Sequence, residues 1–418
     1  MTSPSLYDWQ KTALSAWVHA GMRGIVQAAT GSGKTQLALE AIRQSDSQRV
    51  VIVVPSIPLQ RQWLQILRSR MSLSPRVLGT MGGPKETFTV QHKYVVAVIN
   101  SAREGISHLI KYWHEQNESV LLIVDECHWA GSLTSEGLFK ERPDLTLGLS
   151  ATPERSDSGF DDILVPNLGD IIFQYPLQRA IEDGVLSEIT SYHLFFRLSR
   201  EERHEEDRRA EEIRSARAEL SREFPDLGSG PGWIDRLVRL AQSERKAAQL
   251  LGLLGRQKQA LTSSRERLAC LNQLIQSGHL KGRRTMIFHD TIERAERVSA
   301  LLHRQGVTHA VEHSKRPAES RDAALRKFAM GTVNMLLTVK ALDEGVDIPD
   351  ADTAVFFSAS LSPRQRTQRI GRVARDCATN AQVISLLAEE SSEQWELAVI
   401  DAELLGGQRV ERLRLPEA

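Results

Sequence analysis

The chain has 418 residues, 41% of them hydrophobic and 25% charged, and its 53 basic and 53 acidic side chains cancel to a net charge of zero. That length suits two or three soluble domains with real cores. The balance excludes a uniformly basic coat for nucleic acid but leaves room for a local basic groove, and no apolar run reaches the length of a membrane span.

Residues 1–7 lack the basic start and apolar centre of a secretory signal. The three cysteines, Cys127, Cys270 and Cys377, stand far apart and without metal-ligand spacing, so neither a disulfide framework nor a zinc site is expected. A cytoplasmic location is the expectation.

Ala13, Leu14, Trp17 and Val18 recur at helical spacing after Trp9 and Gln10, predicting an amphipathic helix. The amide of Gln10 could read two edges of adenine, because it both donates and accepts. Its bland alternative is a surface residue beside a core tryptophan. An apolar run at 24–27 then leads into Ala28-Ala29-Thr30-Gly31-Ser32-Gly33-Lys34-Thr35, followed by a helix-like segment at 36–43. Strand, glycine loop and helix place backbone N–H groups and a helix N-terminus around a polyphosphate. Lys34 would reach the β- and γ-phosphates, and the Thr35 hydroxyl would sit on Mg²⁺. Gly31, Ser32 and Gly33 supply the cradle; Ala28 stands where the pattern's first glycine is expected.

Further β-rich runs follow at Arg49–Val54, 94–99, 120–124 and 145–149, with helical stretches such as Ile57–Arg70 between them. This alternation predicts a parallel α/β sheet with helices on both faces and ligands at the carboxyl ends of its strands. The run 120–124 ends in Asp125-Glu126-Cys127-His128. Asp125 is placed to hold Mg²⁺ as the acidic partner of Thr35, and Glu126 to orient and deprotonate a water. Acids at a strand end are otherwise caps. The next run ends in Ser150-Ala151-Thr152-Pro153, whose hydroxyls can bond to the acid pair and relay its state.

A second alternating set begins near residue 284, with strands at Thr285–His289, 334–338, 353–357 and 382–387 and a helix at Ile292–Arg304. It contains no phosphate loop. In the basic run at 362–375, Gln368, Arg372 and Arg375 fall at i, i+4 and i+7 and share a helix face. A guanidinium there can neutralise charge that develops only in a phosphoryl-transfer transition state. Arg364, Arg366 and Arg369 are expected at the surface or facing nucleic acid.

In their order, these segments resemble a superfamily II helicase of the DExH-box group. Gln10 is similar to the adenine-reading Q motif, residues 28–35 to motif I, and residues 53–63, with Pro55, Gln62 and Trp63, to the strand-contacting motif Ia. Residues 125–128 are similar to the DExH box, and Ser150–Thr152 to motif III. Residues 175–186 resemble the crossover of the XPB-like and type III restriction branch, residues 338–349 motif V, and residues 362–375 motif VI. The resemblance implies two tandem RecA-like parallel-sheet domains, at 1–187 and 267–418, with a linker and mainly helical thumb-like insertion at 188–266. It implies ATP and Mg²⁺ as cofactors and Glu126, Lys34, Gln368, Arg372 and Arg375 in catalysis. Gln10, Gly345 and Asp347 would add to the nucleotide site, His128, Ser150 and Thr152 would couple it to movement, and Pro55, Gln62 and Thr338 would touch nucleic acid.

The insertion opens with a charge run at 200–209 and carries Trp233, Arg236, Arg239, Arg245 and Lys246 as candidates for gripping a strand. A solvated helical hairpin is the equal alternative. The expected activity is an ATP-dependent DNA helicase or translocase, with 3′-to-5′ polarity implied by the resemblance to the XPB-like branch, and with protein partners in a repair, restriction or defence complex. An RNA helicase, or a nucleotide-controlled clamp that does not unwind, would carry the same motifs.

Overall fold

The computed structural model describes residues 5–83, 86–155, 157–228, 232–339, 351–358, 363–374, 380–405 and 410–414. Gly345, Asp347 and Arg375 lie outside the described residues. The chain divides into two compact units, one comprising residues 5–186 with the stretch 367–374, the other most of the remainder from 187 onward.

The first unit is built on a seven-stranded parallel sheet. Its strands are β1 (Arg23–Ala28), β2 (Arg49–Val54), β3 (Leu78–Met81), β4 (Tyr94–Val98), β5 (Val120–Asp125), β6 (Leu145–Ser150) and β7 (Ile171–Tyr175), in the order β3-β4-β2-β5-β6-β1-β7. Every residue of β4 and β5 is buried, as expected of parallel strands covered on both faces. One face packs Val51, Val53, Val95, Leu122 and Val124 against Ile106, Ile110 and Trp113 of the helix Ile99–Glu115. The alternate residues Val50, Ile52, Val96, Leu121 and Ile123 are buried as well.

The N-terminal helix, Asp8–His19, buries Trp9, Gln10, Ala13, Leu14 and Trp17 but leaves Val18 exposed. Val18 was expected on the apolar face; Gln10 takes the buried place. The reason is polar: both ends of its amide find partners inside, as described below. Trp9 stacks on Tyr175 at 4.6 Å between ring centroids, which ties this helix to β7.

The second unit carries another seven-stranded parallel sheet. Its strands are β8 (Ile189–Phe196), β9 (Thr285–His289), β10 (Ala310–Glu312), β11 (Met335–Val339), β12 (Thr353–Phe356), β13 (Ala381–Ala388) and β14 (Val410–Arg412), ordered β10-β11-β9-β12-β13-β8-β14. The α/β expectation of two parallel-sheet domains therefore holds. The boundary does not: β8, expected in the linker at 188–266, pairs along its full length with β13 and so belongs to the second sheet. Its partner lies nearly the whole domain away in sequence, so no local pattern reveals the pairing. The insertion proper is the helices Arg200–Glu223, Trp233–Leu240 and Arg245–Ser263, packed around Leu220, Leu227, Leu237, Ala247 and Leu250. Among the described residues no helix is long and apolar enough to cross a membrane.

Candidate active site

Gly31 and Gly33 adopt positive φ of 87° and 101°, a conformation open to glycine without the steric cost of a side chain. The helix Lys34–Ser45 starts directly behind them. The Ser32 hydroxyl donates to the Ala29 carbonyl at 2.7 Å, and the Lys34 ammonium donates to the carbonyls of Ala28 and Ala29 at 2.9 and 3.3 Å. Gln10 braces the loop from behind. Its amide donates to the Gly33 carbonyl at 3.0 Å and accepts from the Tyr7 N–H at 2.9 Å. With the side chain 1% exposed, that amide is engaged on the backbone, and a Cβ at Gly33 would stand 2.8 Å from its nitrogen.

Asp125 ends β5. Its Oδ2 accepts from the Trp63 indole N–H at 2.9 Å and its Oδ1 from the Glu126 N–H at 3.1 Å. Burial, and then the neighbouring Glu126 carboxylate, push its pKa up to about 6, against the Trp63 bond and the Lys34 charge, which lower it. Glu126 itself stands in the left-handed region, at φ 51° and ψ 52°. A non-glycine residue there carries strain of about 1–3 kcal/mol, typical of functional sites. Its Oε2 is buried without a hydrogen bond and lies 3.6 Å from His128 Nδ1.

His128 is the next link. Its Nδ1 lies 3.0 Å from the Ser150 hydroxyl, which also accepts from the Thr152 N–H at 3.1 Å. The DExH segment and the end of β6 are thus joined by one buried polar chain. Arg155, which no spacing or pattern in the sequence singles out, donates to the His128 carbonyl while holding Asp157 in two hydrogen bonds.

Lys34, Thr35, Asp125, Glu126, Gln368 and Arg372 line a single cavity of about 340 Å³ within the first unit. Pro55, Gln62 and Trp129 share its wall, so two residues expected on a nucleic-acid surface stand beside the phosphate loop. Gly371 is what admits Arg372: a Cβ on it would meet Thr30 at 2.5 Å. Two other arginines of the run, Arg366 and Arg369, behave differently from expectation. Arg366 and Arg369 are 1% and 2% exposed, not surface residues. Arg366 is drawn inward by Asp401, with bonds of 2.6 and 3.0 Å.

Thr338 is also interior: its hydroxyl donates to buried Glu312 at 3.2 Å. In the insertion, Arg217 lies over the Trp233 ring at 4.1 Å, Arg236 donates to the Leu227 carbonyl, and Lys246 sits between Glu219 and Glu223. Arg239 and Arg245 remain exposed.

The donor set fits a magnesium–nucleotide. A hydroxyl, a buried carboxylate, an ammonium and a glycine cradle at a helix N-terminus face one cavity. Among the described residues no three His, Cys, Asp or Glu side chains converge on a point, and Mg²⁺ is characteristically held by one or two protein ligands plus phosphate oxygens.

Two family models match the chain: the res subunit of type III restriction enzymes over residues 3–155 and the helicase conserved C-terminal domain over residues 266–377. A DNA 3′-5′ translocase XPB2 of Sulfurisphaera tokodaii is 27% identical over 397 residues, covering 93% of this chain and 82% of that protein. An uncharacterized protein of Mycobacterium tuberculosis is 26% identical over 89% of this chain, which spans only 59% of its length. The structure of Saccharomyces cerevisiae Dbp5 bound to RNA and ADP BeF3 superposes with a TM-score of 0.60 at 14% identity, covering 97% of this chain and 89% of that one; at that identity the likeness is one of fold.

Proposed function

For a chain that belongs to superfamily II of the helicases, in the XPB-like and type III restriction branch, we propose the activity of an ATP-driven DNA translocase and helicase. The observation that carries it is the single cavity lined by Lys34, Thr35, Asp125, Glu126, Gln368 and Arg372.

In this reading the N–H groups of residues 31–35 and the Lys34 ammonium bind the triphosphate. A magnesium ion held by Thr35 and Asp125 would neutralise charge on the phosphate oxygens. Glu126, fixed by its strained backbone, orients the attacking water and accepts its proton. Arg372 neutralises charge on the departing γ-phosphoryl group, and Gln368 helps to position it. The chain Glu126–His128–Ser150–Thr152 reports that state to the end of β6, and the second unit responds by advancing on the strand. Contacts mainly with phosphates would give weak sequence preference. The translocase relative favours DNA and 3′-to-5′ movement.

The test is ATP turnover without nucleic acid and with single-stranded DNA, duplex DNA or RNA, run beside Lys34→Ala. Strong stimulation by DNA and near-total loss in the variant are expected. Equal rates in all four conditions would remove the motor, and stimulation by RNA alone would redirect it to RNA.

A further inference from the structure

Trp63, on the helix Ile57–Arg70, is 1% exposed. Two other buried indoles in this unit donate their N–H to backbone carbonyls, Trp17 to Thr146 and Trp113 to Val90, both at 2.8 Å, while the buried Trp9 N–H has no hydrogen bond. Trp63 instead donates to a carboxylate, Oδ2 of Asp125, at 2.9 Å. Burying a carboxylate costs several kcal/mol unless it is bonded, so the charge-assisted bond from the indole is what satisfies this oxygen of Asp125 in the interior. The second oxygen, Oδ1, accepts the Glu126 N–H. Two donors from different elements, one on each oxygen, fix the rotation of the carboxylate plane. The carboxylate lines the cavity together with Thr35.

We propose that Trp63 is a positioning residue for magnesium–nucleotide binding, acting through Asp125. The proposal rests on the reading of the cavity as a nucleotide site. Partners that orient a ligating group typically change metal affinity by about 10–100-fold when lost. The indole ties the helix Ile57–Arg70, whose Leu59, Gln62, Ile66 and Arg70 wall the cavity, to the group that would take the ion.

The test is Mn²⁺ binding, followed by electron paramagnetic resonance, in the presence and absence of ADP. It compares wild type, Trp63→Phe, Asp125→Asn and the double variant. Benzothienylalanine placed at position 63 by suppression keeps the ring shape and removes only the donor, which covers the case in which phenylalanine does not fold. Expected is a loss of about tenfold in Mn²⁺–ADP affinity for either change at position 63, with metal-free ADP binding unaltered. In the Asp125→Asn background the same change should cost under about twofold, because the path is already cut. Unchanged Mn²⁺–ADP affinity with benzothienylalanine, or full additivity in the double variant, would overturn the proposal. Wild type that binds no Mn²⁺–ADP at all would instead remove the nucleotide-site reading beneath it.

Discussion

Gly371 lies against Thr30 so closely that a side chain cannot fit between them. A Cβ there would stand 2.5 Å from the Thr30 Cβ and 2.7 Å from its carbonyl oxygen. Thr30 belongs to the phosphate loop, and Arg372 follows immediately, lining the cavity with Lys34. Gly371→Ala must therefore push the arginine's backbone away from the loop. Displacement of about 1 Å in a reacting constellation can cost about 10²-fold. We expect kcat for nucleic-acid-stimulated ATP turnover to fall by about that factor, with circular dichroism unchanged. Arg372→Lys should be no rescue, since a point ammonium cannot chelate as the planar guanidinium does. A Gly371→Ala enzyme of wild-type speed would show that the approach is dispensable.

Much of this was legible beforehand because motif and pattern agreed. Arg49–Val54, Ile57–Arg70, Thr285–His289 and Ile292–Arg304 fall where their periodicity places them. What escaped has a common cause, dependence on distant partners. Strands β3, β10 and β14 are short edge elements with little apolar signal of their own, and β7, Ile-Ile-Phe-Gln-Tyr, is an edge strand whose pairing with β1 spans most of its unit. Arg366 reads as a solvated cation until Asp401, far along the chain, is seen to hold it. The bond from Trp63 to Asp125 joins residues 62 positions apart, and Arg155 reaches back 27 to the His128 carbonyl. A linear sequence does not encode such contacts in any local spacing.

Ser150 is shared by two groups, His128 Nδ1 at 3.0 Å and the Thr152 N–H at 3.1 Å. Ser150→Ala removes both contacts while leaving Lys34, Thr35, Asp125 and Glu126 in place. Basal ATP turnover should stay within about threefold of wild type, because no group touching nucleotide is altered. Stimulation by nucleic acid, and strand displacement with it, should drop by about tenfold or more, the scale of a coupling energy of 1–3 kcal/mol. Equal losses in basal and stimulated rates would assign Ser150 to the chemistry instead.

Asp401 gathers four donors' worth of contact: two bonds from Arg366, with His193 at 2.9 Å and Ser191 at 3.2 Å. Both charged partners are 1% exposed. Removing one member of such a pair leaves the other charged and buried, at a cost of about 3–5 kcal/mol. Arg366→Ala should thus lower the thermal midpoint strongly, whereas Arg239→Ala, at an exposed site, should stay within about 0.5 kcal/mol. Thermal unfolding of both variants decides it. An unaltered midpoint for Arg366→Ala would place that arginine back at the surface, as its sequence suggests.

Glu206 gives the second unit a dependence on pH. It sits on the helix Arg200–Glu223, 3% exposed, with Oε1 accepting from Gln257 at 2.8 Å and Oε2 without a hydrogen bond. Burial chiefly, with the Glu393 charge adding to it, raises its pKa from 4.5 to about 7, against the lowering effects of Gln257, Arg209 and Arg203. The folded state therefore holds the proton more tightly than the unfolded chain. Stability from this group is fully present below the unfolded value near 4.5 and is lost as pH rises through about 7, then stays level. Glu206→Gln keeps an oxygen to accept from Gln257 and carries no charge. Its thermal midpoint should exceed that of wild type by on the order of a few °C at pH 8, and the two should converge toward pH 4.5. Parallel pH–stability curves for the two proteins would show that residue 206 does not titrate in this window.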